Sequence, residues 1–340
     1  MNWIIQIVVF CIVLFLYIHV YHHVKTSSDL ELYELDTPTK EQIEEVCDIR
    51  QPVKFVYTEP ELIKYTELPS VEECYGVFDI NIRTNDVEKQ KIIDSPFRKT
   101  QDIPLEKEYI LPFLLTKAIP VFQKDTTKKY YSEHNSDFLY ETGMAKKYRY
   151  YDSLLRPPMV SSCKYDYMVG ANETITPLRY HLEYRNYYLV TYGKVTITMI
   201  PPSYTKYLHP STNYELFEFY SPINVWNPQH KYNHDFEKVK TLTLTLSKGD
   251  ILYIPAYWWY SIKFEELSSL AIFQYCTYMN TIAISPHLMM YALQHANVKH
   301  QVAKIENTAK VMTGINVITS SNESHKDIPP QTPSIQEQHT

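Results

Sequence analysis

The feature that most constrains the fold lies at the amino terminus, where Trp3–Val20 carries no formal charge and consists mainly of Ile, Val, Leu and Phe. Extended through Tyr21, this run approaches the roughly 20 residues that a helix needs to cross a bilayer. Trp3, Tyr17 and Tyr21 stand where interfacial aromatic side chains are expected. A cleaved signal peptide usually has a basic start and a small-residue cleavage site, and neither is visible. We therefore predict an uncleaved transmembrane anchor within residues 1–25.

The orientation of this anchor follows less directly from the sequence. Lys25 and Lys40 on its carboxyl side oppose only the amino terminus, which favours a cytosolic location for the rest of the chain. Two glycosylation sequons, at Asn172 and Asn322, are compatible with the opposite orientation. The sequence thus predicts single-pass attachment to a membrane and leaves the orientation open.

Composition excludes several function classes. A net charge of −6 argues against a general nucleic-acid binder, which needs an excess of Lys and Arg to displace counterions. With 6 glycines in 340 residues, a Gly-rich phosphate-binding loop is not expected. The 5 cysteines are far apart and show no zinc-type spacing, so we expect reduced thiols.

The pattern after the anchor is mainly β. Residues 26–45 are polar and acidic and predict a stalk. Alternating apolar and polar residues then predict strands within Gln51–Tyr57, Gly76–Arg83, Tyr187–Ile200, Thr241–Leu246, Asp250–Pro255 and Leu270–Tyr278. Helical stretches are predicted around Tyr109–Ala118 and Asp137–Ala145, and residues 203–240 form an insertion. We predict one folded domain over residues 46–285.

The carboxyl-terminal part changes character after this domain. Ser285-Pro286 is typical of an N-cap followed by Pro at the first helical position, which predicts a helical extension over residues 286–313. Residues 314–340 are rich in Ser, Asn, Gln, Pro and Thr. Such a segment has too little apolar surface to offset the entropy of ordering, so we predict a disordered tail.

Five blocks occur in a fixed order along the chain: Arg156-Pro-Pro158, Met168-Val-Gly170, Thr176–His181, Gly193–Pro202 and Lys248–Tyr260. This series resembles the cupin-like, JmjC-type branch of the 2-oxoglutarate oxygenases over roughly residues 50–285. The resemblance implies a double-stranded β-helix, a cupin or jelly-roll barrel that is mainly β with α elaborations. In composition, the chain is also similar to cupin-like membrane proteins of large DNA viruses.

The family resemblance also identifies positions for metal ligands. Its members bind Fe(II) through two histidines and one carboxylate, and the corresponding positions here hold Arg179, His181 and Tyr260. Arginine has no lone pair to offer a metal. The lysine that holds 2-oxoglutarate in the family falls near Lys194 or Val195, and the one-residue difference reverses the side-chain face. We therefore expect no iron or 2-oxoglutarate and predict a pseudoenzyme with a binding or structural role and a protein partner.

Two alternatives stay open at this site. His181 and Glu183 are two residues apart, so on a strand they would share a face with Arg179 and could form a displaced metal pair. The chain would then be a 2-oxoglutarate-dependent oxygenase of the protein hydroxylase or demethylase type. Arg179 itself either pairs with Glu183 or another acid, or holds an anionic group. Tyr260 is expected to form hydrogen bonds inside the former pocket.

Overall fold

The computed structural model describes residues 2–84 and 111–297. Its first element is helix α1 (Asn2–Val24), whose apolar side chains are exposed along almost its whole length. Among the described residues it is the helix that is long and apolar enough to cross a membrane. Its exposure separates it from the core helix of a soluble protein, whereas a signal sequence would share its length and composition.

The segment predicted to be a stalk, residues 26–45, is instead part of the folded domain. Strand β1 (Tyr33–Leu35) pairs in parallel with β2 (Val53–Val56) at one edge of a sheet. Helix α2 (Lys40–Ile49) follows, and its first turn is closed by a capping box in which Thr39 and Gln42 bond each other's backbone N–H. The predicted start of the folded domain at residue 46 is therefore too late in the chain. The polar composition of residues 26–45 suggested a stalk, but helix capping and strand pairing order this segment although it has few apolar residues.

The remaining helices cover the outer face of the larger sheet or lie in connections. The labelled ones are α3 (Pro60–Thr66), α4 (Leu68–Tyr75), α5 (Leu115–Gln123), α6 (Ser136–Glu141), α7 (Met144–Tyr151), α8 (Asn233–Phe236) and α9 (Tyr278–Ala283). The stretch predicted as helical from Tyr109 differs, because its described part starts as strand β4 (Leu111–Leu114) before α5 begins.

The strands form two sheets. The other strands are β3 (Asp79–Thr84), β5 (Tyr130–Ser132), β6 (Val160–Gly170), β7 (Leu178–Tyr180), β8 (Arg185–Tyr192), β9 (Lys194–Ile200), β10 (Ser211–Asn213), β11 (Glu218–Ser221), β12 (Leu242–Ser247), β13 (Asp250–Pro255), β14 (Trp259–Phe264) and β15 (Ser268–Thr277). The larger sheet has the order β1-β2-β13-β8-β15-β6-β5-β3-β4, and the smaller one β10-β11-β7-β14-β9-β12. Mainly β architecture with added helices, as predicted, is confirmed.

Side chains alternate between two cores along each central strand. In β8, Tyr188 and Val190 point between the sheets, whereas Tyr187 and Leu189 pack under the helices on the outer face. This two-residue period is what a strand buried on both faces requires. Trp258 lies in the inner core and Trp259 in a third cluster outside the smaller sheet.

The insertion at residues 203–240 is built onto the smaller sheet, since β11 pairs with β7. Its polar composition therefore did not indicate that it forms part of the barrel wall. The chain is helical again over residues 285–297, of which those from Leu288 belong to a second unit. The rest of the predicted extension (286–313) and the predicted tail (314–340) lie outside the described residues.

Candidate functional site

Strand pairing brings the three predicted ligand positions together. Arg179 of β7 stands opposite Tyr260 of β14, and His181 follows directly after β7. The Nε of Arg179 donates to the Tyr260 hydroxyl at 3.1 Å, and the His181 Nε2 lies 2.7 Å from the same oxygen. The Tyr188 hydroxyl also donates to it, at 2.7 Å. One buried oxygen is thus the meeting point of all three positions.

These contacts determine the protonation state of His181. Because Arg179 and Tyr188 both donate to Tyr260, the hydroxyl hydrogen of Tyr260 is left for the Nε2 of His181. That nitrogen must then be an unprotonated acceptor. Burial lowers the pKa of His181 to about 4, so the imidazole is neutral at physiological pH. Tyr260 accordingly forms hydrogen bonds inside the barrel, as expected.

Arg179 belongs to a chain of ion pairs that the sequence did not identify. Its Nη2 lies 2.5 Å from an oxygen of Glu133, and the other oxygen of Glu133 pairs with Arg83. Arg83 in turn lies 2.6 Å from Glu218, which bonds the Nε2 of His134 at 2.7 Å. Arg179 therefore pairs with Glu133 and not with Glu183.

The positive and negative groups of this network stabilise each other's charged forms. Burial alone would raise the pKa of Glu133, but the positive charges of Arg179 and Arg83 outweigh it and hold the pKa well below its usual range. Glu218 behaves in the same way, with a pKa of about 2 beside His134 and Arg83. Two guanidinium groups thus face two carboxylates. Although burial opposes it, the hydrogen bond to Glu218 and the charge of Glu133 raise the pKa of His134, which favours a further positive charge in the network.

The alternative pair, His181 and Glu183, lies in the connection between β7 and β8. The His181 Nδ1 is 3.7 Å from a carboxylate oxygen of Glu183. Glu183 also pairs with Lys164 at 2.9 Å. Although burial opposes ionisation, the charge and the hydrogen bond of Lys164 lower the pKa of Glu183 to about 2. Both side chains therefore already have partners within the protein.

The donors present do not fit the iron of the family. Arg179 has no lone pair and stays charged, because the charge of Glu133 outweighs the cost of burial and keeps its pKa well above the ordinary value. In the described part of the chain, Glu133, His134 and Glu218 bring potential ligand atoms within 4.8 Å of one another. Arg83, however, already bonds both carboxylates. A guanidinium therefore occupies the position that a cation would need.

Lys194 lies elsewhere. It is exposed at the start of β9 and opposite Ser247, whereas Tyr260 is opposite Met199 at the other end of the same strand. The five intervening steps (199 − 194) correspond to roughly 16 Å. This position therefore does not line the site formed by Arg179, His181 and Tyr260.

Sequence reasoning missed the acidic members of the network. Glu133 directly follows β5, whose Tyr131 points into the barrel, so the two-residue period turns Glu133 inward. Glu218 lies in the insertion, 84 positions from His134. A buried arginine predicts a carboxylate nearby, but only strand pairing identifies which one.

Curated relatives match a limited part of the chain. It is 33% identical over 95 residues to JmjC domain-containing protein D of Dictyostelium discoideum, covering 28% of this chain and 21% of that protein. It is 35% identical over 72 residues to HSPB1-associated protein 1 of Homo sapiens, covering 21% and 15%. It is 30% identical over 99 residues to Lysine-specific demethylase 8 of Danio rerio, covering 29% and 24%.

These relatives support the JmjC-type resemblance, and the matched segments span less than a quarter of each relative's length. The similarity to viral membrane proteins stays a prediction. The cupin-like domain family matches residues 96–281, which is more than half of the 340-residue chain. The chain is therefore a member of the cupin-like domain family.

Proposed function

We propose that this chain is a membrane-anchored, non-catalytic cupin-like protein whose barrel has a binding or structural role. The observation that supports it is the buried guanidinium of Arg179, bonded to Glu133 and Tyr260 where the ligand positions converge. Iron chemistry in this fold needs lone-pair donors and open coordination positions. A fixed positive charge at the same point would repel Fe(II).

A second candidate is an oxygenase of the hydroxylase or demethylase type that uses His181 and Glu183. Two observations favour it: one relative is named as a lysine-specific demethylase, and the imidazole is neutral beside an ionised carboxylate. Metal binding would require His181 to release Tyr260 and Glu183 to release Lys164. A third ligand would still be needed, so we favour the non-catalytic role.

We expect the purified full-length chain to bind no stoichiometric iron and to form no succinate from 2-oxoglutarate. The reason is that Arg179 and its partners fill the site with hydrogen bonds and ion pairs. Iron content by elemental analysis and succinate by mass spectrometry would test this, with His181→Ala as the matched control. Close to one iron per chain, together with succinate formation that the control loses, would establish the oxygenase alternative.

The anchor is proposed from the length, apolarity and exposure of α1. Val9 and Val13 are both exposed on this helix, so changing both to Lys should disturb the domain little. Two lysines within the hydrocarbon region would each cost roughly 2.5–3.5 kcal/mol on insertion scales. We expect the parent chain to stay in membranes after alkaline carbonate treatment and the Val9→Lys, Val13→Lys variant to be released.

The mass of the membrane-bound chain completes this test. Retention of residues 1–25 is the expected result, whereas a shortened chain would identify a signal sequence. The lysine distribution favours a cytosolic domain. A protein partner is consistent with the name of the relative HSPB1-associated protein 1. The net charge of −6 argues against nucleic acid as a ligand.

A further inference from the structure

The carboxyl-terminal end of α1 is fixed to the barrel. Arg50, the left-handed residue that ends α2, donates from Nη1 to the carbonyl oxygens of His23 at 3.0 Å and Lys25 at 2.8 Å. The ring of His23 is buried and packs edge-on against Tyr184, with 5.1 Å between ring centroids. These contacts attach the end of the helix directly to the domain.

The length of α1 determines how far this junction, the contact of His23 with Arg50 and Tyr184, lies from the hydrocarbon core of the bilayer. His23 lies three residues beyond Val20, the end of the uncharged run, which is about 4.5 Å along a helix. The polar layer on each side of the hydrocarbon core is roughly 5–7 Å thick. With Trp3–Val20 in the hydrocarbon core, His23 and the Tyr184 ring that touches it therefore lie at the level of the headgroups.

Helix α9 packs against α1 beside this junction. It begins where β15 ends, and its Asn280 donates from Nδ2 to the carbonyl of Leu182 at 3.2 Å. Tyr278 and Ile282, four residues apart on one helical face, are 58% and 42% exposed. Ile49, next to Arg50, is 45% exposed. Tyrosine and aliphatic side chains of this kind are suited to a membrane–water interface.

Resting on the proposed anchor, we infer that the surface formed by Ile49, Tyr278 and Ile282 lies in the phospholipid headgroup layer. The occupant is the bilayer that α1 crosses, because the surface continues directly from the end of that helix. It follows that the barrel is docked on the membrane in a fixed orientation and does not move freely on a tether.

The same geometry orients the candidate site. The connection that carries His181 and Glu183 is bonded to α9 through Leu182 and contacts α1 through Tyr184. This end of the barrel therefore faces the lipid, and the ligand or partner of the site would approach along the membrane surface. Lys194 lies at the opposite end of the smaller sheet and faces away.

A matched control position exists on the larger sheet. Val56 is 49% exposed and pairs with Asp250 at the start of β13. In the next two strands of the same sheet, Ile251 of β13 pairs with Leu189 of β8, and Leu189 pairs with Ala271 of β15. Val56 is therefore level with about Leu270, seven residues or roughly 23 Å along β15 from Thr277, where α9 begins.

The test uses the full chain in vesicles of phosphatidylcholine and phosphatidylglycerol. The exposed Cys11 and Cys74 are first replaced by Ser, and nitroxide labels are attached singly to Tyr278→Cys, Ile282→Cys, Val56→Cys and Val13→Cys. Accessibility to oxygen and to a water-soluble nickel chelate is measured by electron paramagnetic resonance. We expect the labels at 278 and 282 to be shielded from nickel and exposed to oxygen, and the label at 56 to be fully accessible to nickel.

The label at position 13 separates the two ways of failing. If it reports lipid while 278 and 282 are as accessible to nickel as 56, the docked surface is overturned and the anchor stands. If position 13 itself is accessible to nickel, the anchor is wrong and the docked surface is overturned with it. When Arg50→Met is combined with each label, nickel accessibility should increase at positions 278 and 282 and stay the same at position 13. If the accessibility at 278 and 282 does not increase, the fixed junction is contradicted.

Discussion

Replacing Arg179 with Met should lower the free energy of unfolding by about 3–5 kcal/mol, the cost of breaking a buried ion pair from one side. Arg179 and Glu133 are both buried, and the change removes one of the cations beside Glu133, leaving Arg83 and His134 near it. Chemical denaturation of the full chain in detergent micelles, monitored by tryptophan fluorescence, would measure the loss. Trp258 and Trp259 are buried close in sequence to Tyr260 and should report unfolding of this region.

The reciprocal change gives a double-mutant cycle. Glu133→Gln alone leaves Arg179 buried without a counter-charge and should cost a comparable amount. The double variant, Arg179→Met with Glu133→Gln, removes both charges and leaves Arg83 paired with Glu218. Removing both members of a buried pair is often close to neutral, so much of the loss should be recovered. Lys194→Met, at an exposed residue outside the network, should change stability by about 0.5 kcal/mol or less. Additive effects of the two single changes would contradict direct pairing.

Changing Arg179→His, His181→Asp and Tyr260→His together should create a site that binds a divalent metal. The Nε of Arg179 and the Nε2 of His181 already lie 3.1 Å and 2.7 Å from the hydroxyl oxygen of Tyr260, so the three side chains converge on one region. Two histidines and one carboxylate at these positions would restore the ligand types of the family. The loss of Arg179 also leaves Glu133 short of a positive charge, which a divalent cation would supply.

Binding is nevertheless expected to be weak, because the supporting partners have changed. Tyr188 loses the hydroxyl to which it donates, and missing supporting contacts typically cost about 10–100-fold in metal affinity. Co²⁺ absorption and calorimetric titration would measure the affinity. The matched control is His181→Asp with Tyr260→His, which keeps Arg179 and should not bind. If the folded triple variant binds Co²⁺ no better than the parent chain, the assignment of these three positions as former ligand positions is wrong.

The sequence by itself determined the features that depend on local pattern. The uncharged run from Trp3 predicted a long helix, and α1 covers Asn2–Val24. Strict alternation predicted a strand at Thr241–Leu246, and β12 spans Leu242–Ser247 with the less exposed leucines on one face. These elements can be predicted from the sequence because side chains return to the same face every 3.6 residues in a helix and every 2 residues in a strand. The spacing of apolar residues therefore indicates the type of element.

Local pattern misjudged the segments that are ordered by partners elsewhere. Residues 26–45 have the composition of a stalk, yet β1 is held by β2 and α2 by its capping box. The insertion at 203–240 has a loop-like composition, yet β11 joins β7 and brings Glu218 to Arg83. In both cases the stabilising contact joins positions that the local sequence does not relate.

The candidate site divides in the same way. The order of the sequence blocks predicts that Arg179, His181 and Tyr260 occupy the ligand positions of the family. Arginine has no lone pair to offer a metal, which is a property of the residue type alone. The acid that pairs with Arg179 is 46 positions away (179 − 133), and its identity depends on which strands are neighbours. Ion pairing requires atoms within a few ångströms, and in a barrel that proximity is set by sheet order and register, so only the tertiary structure decided it.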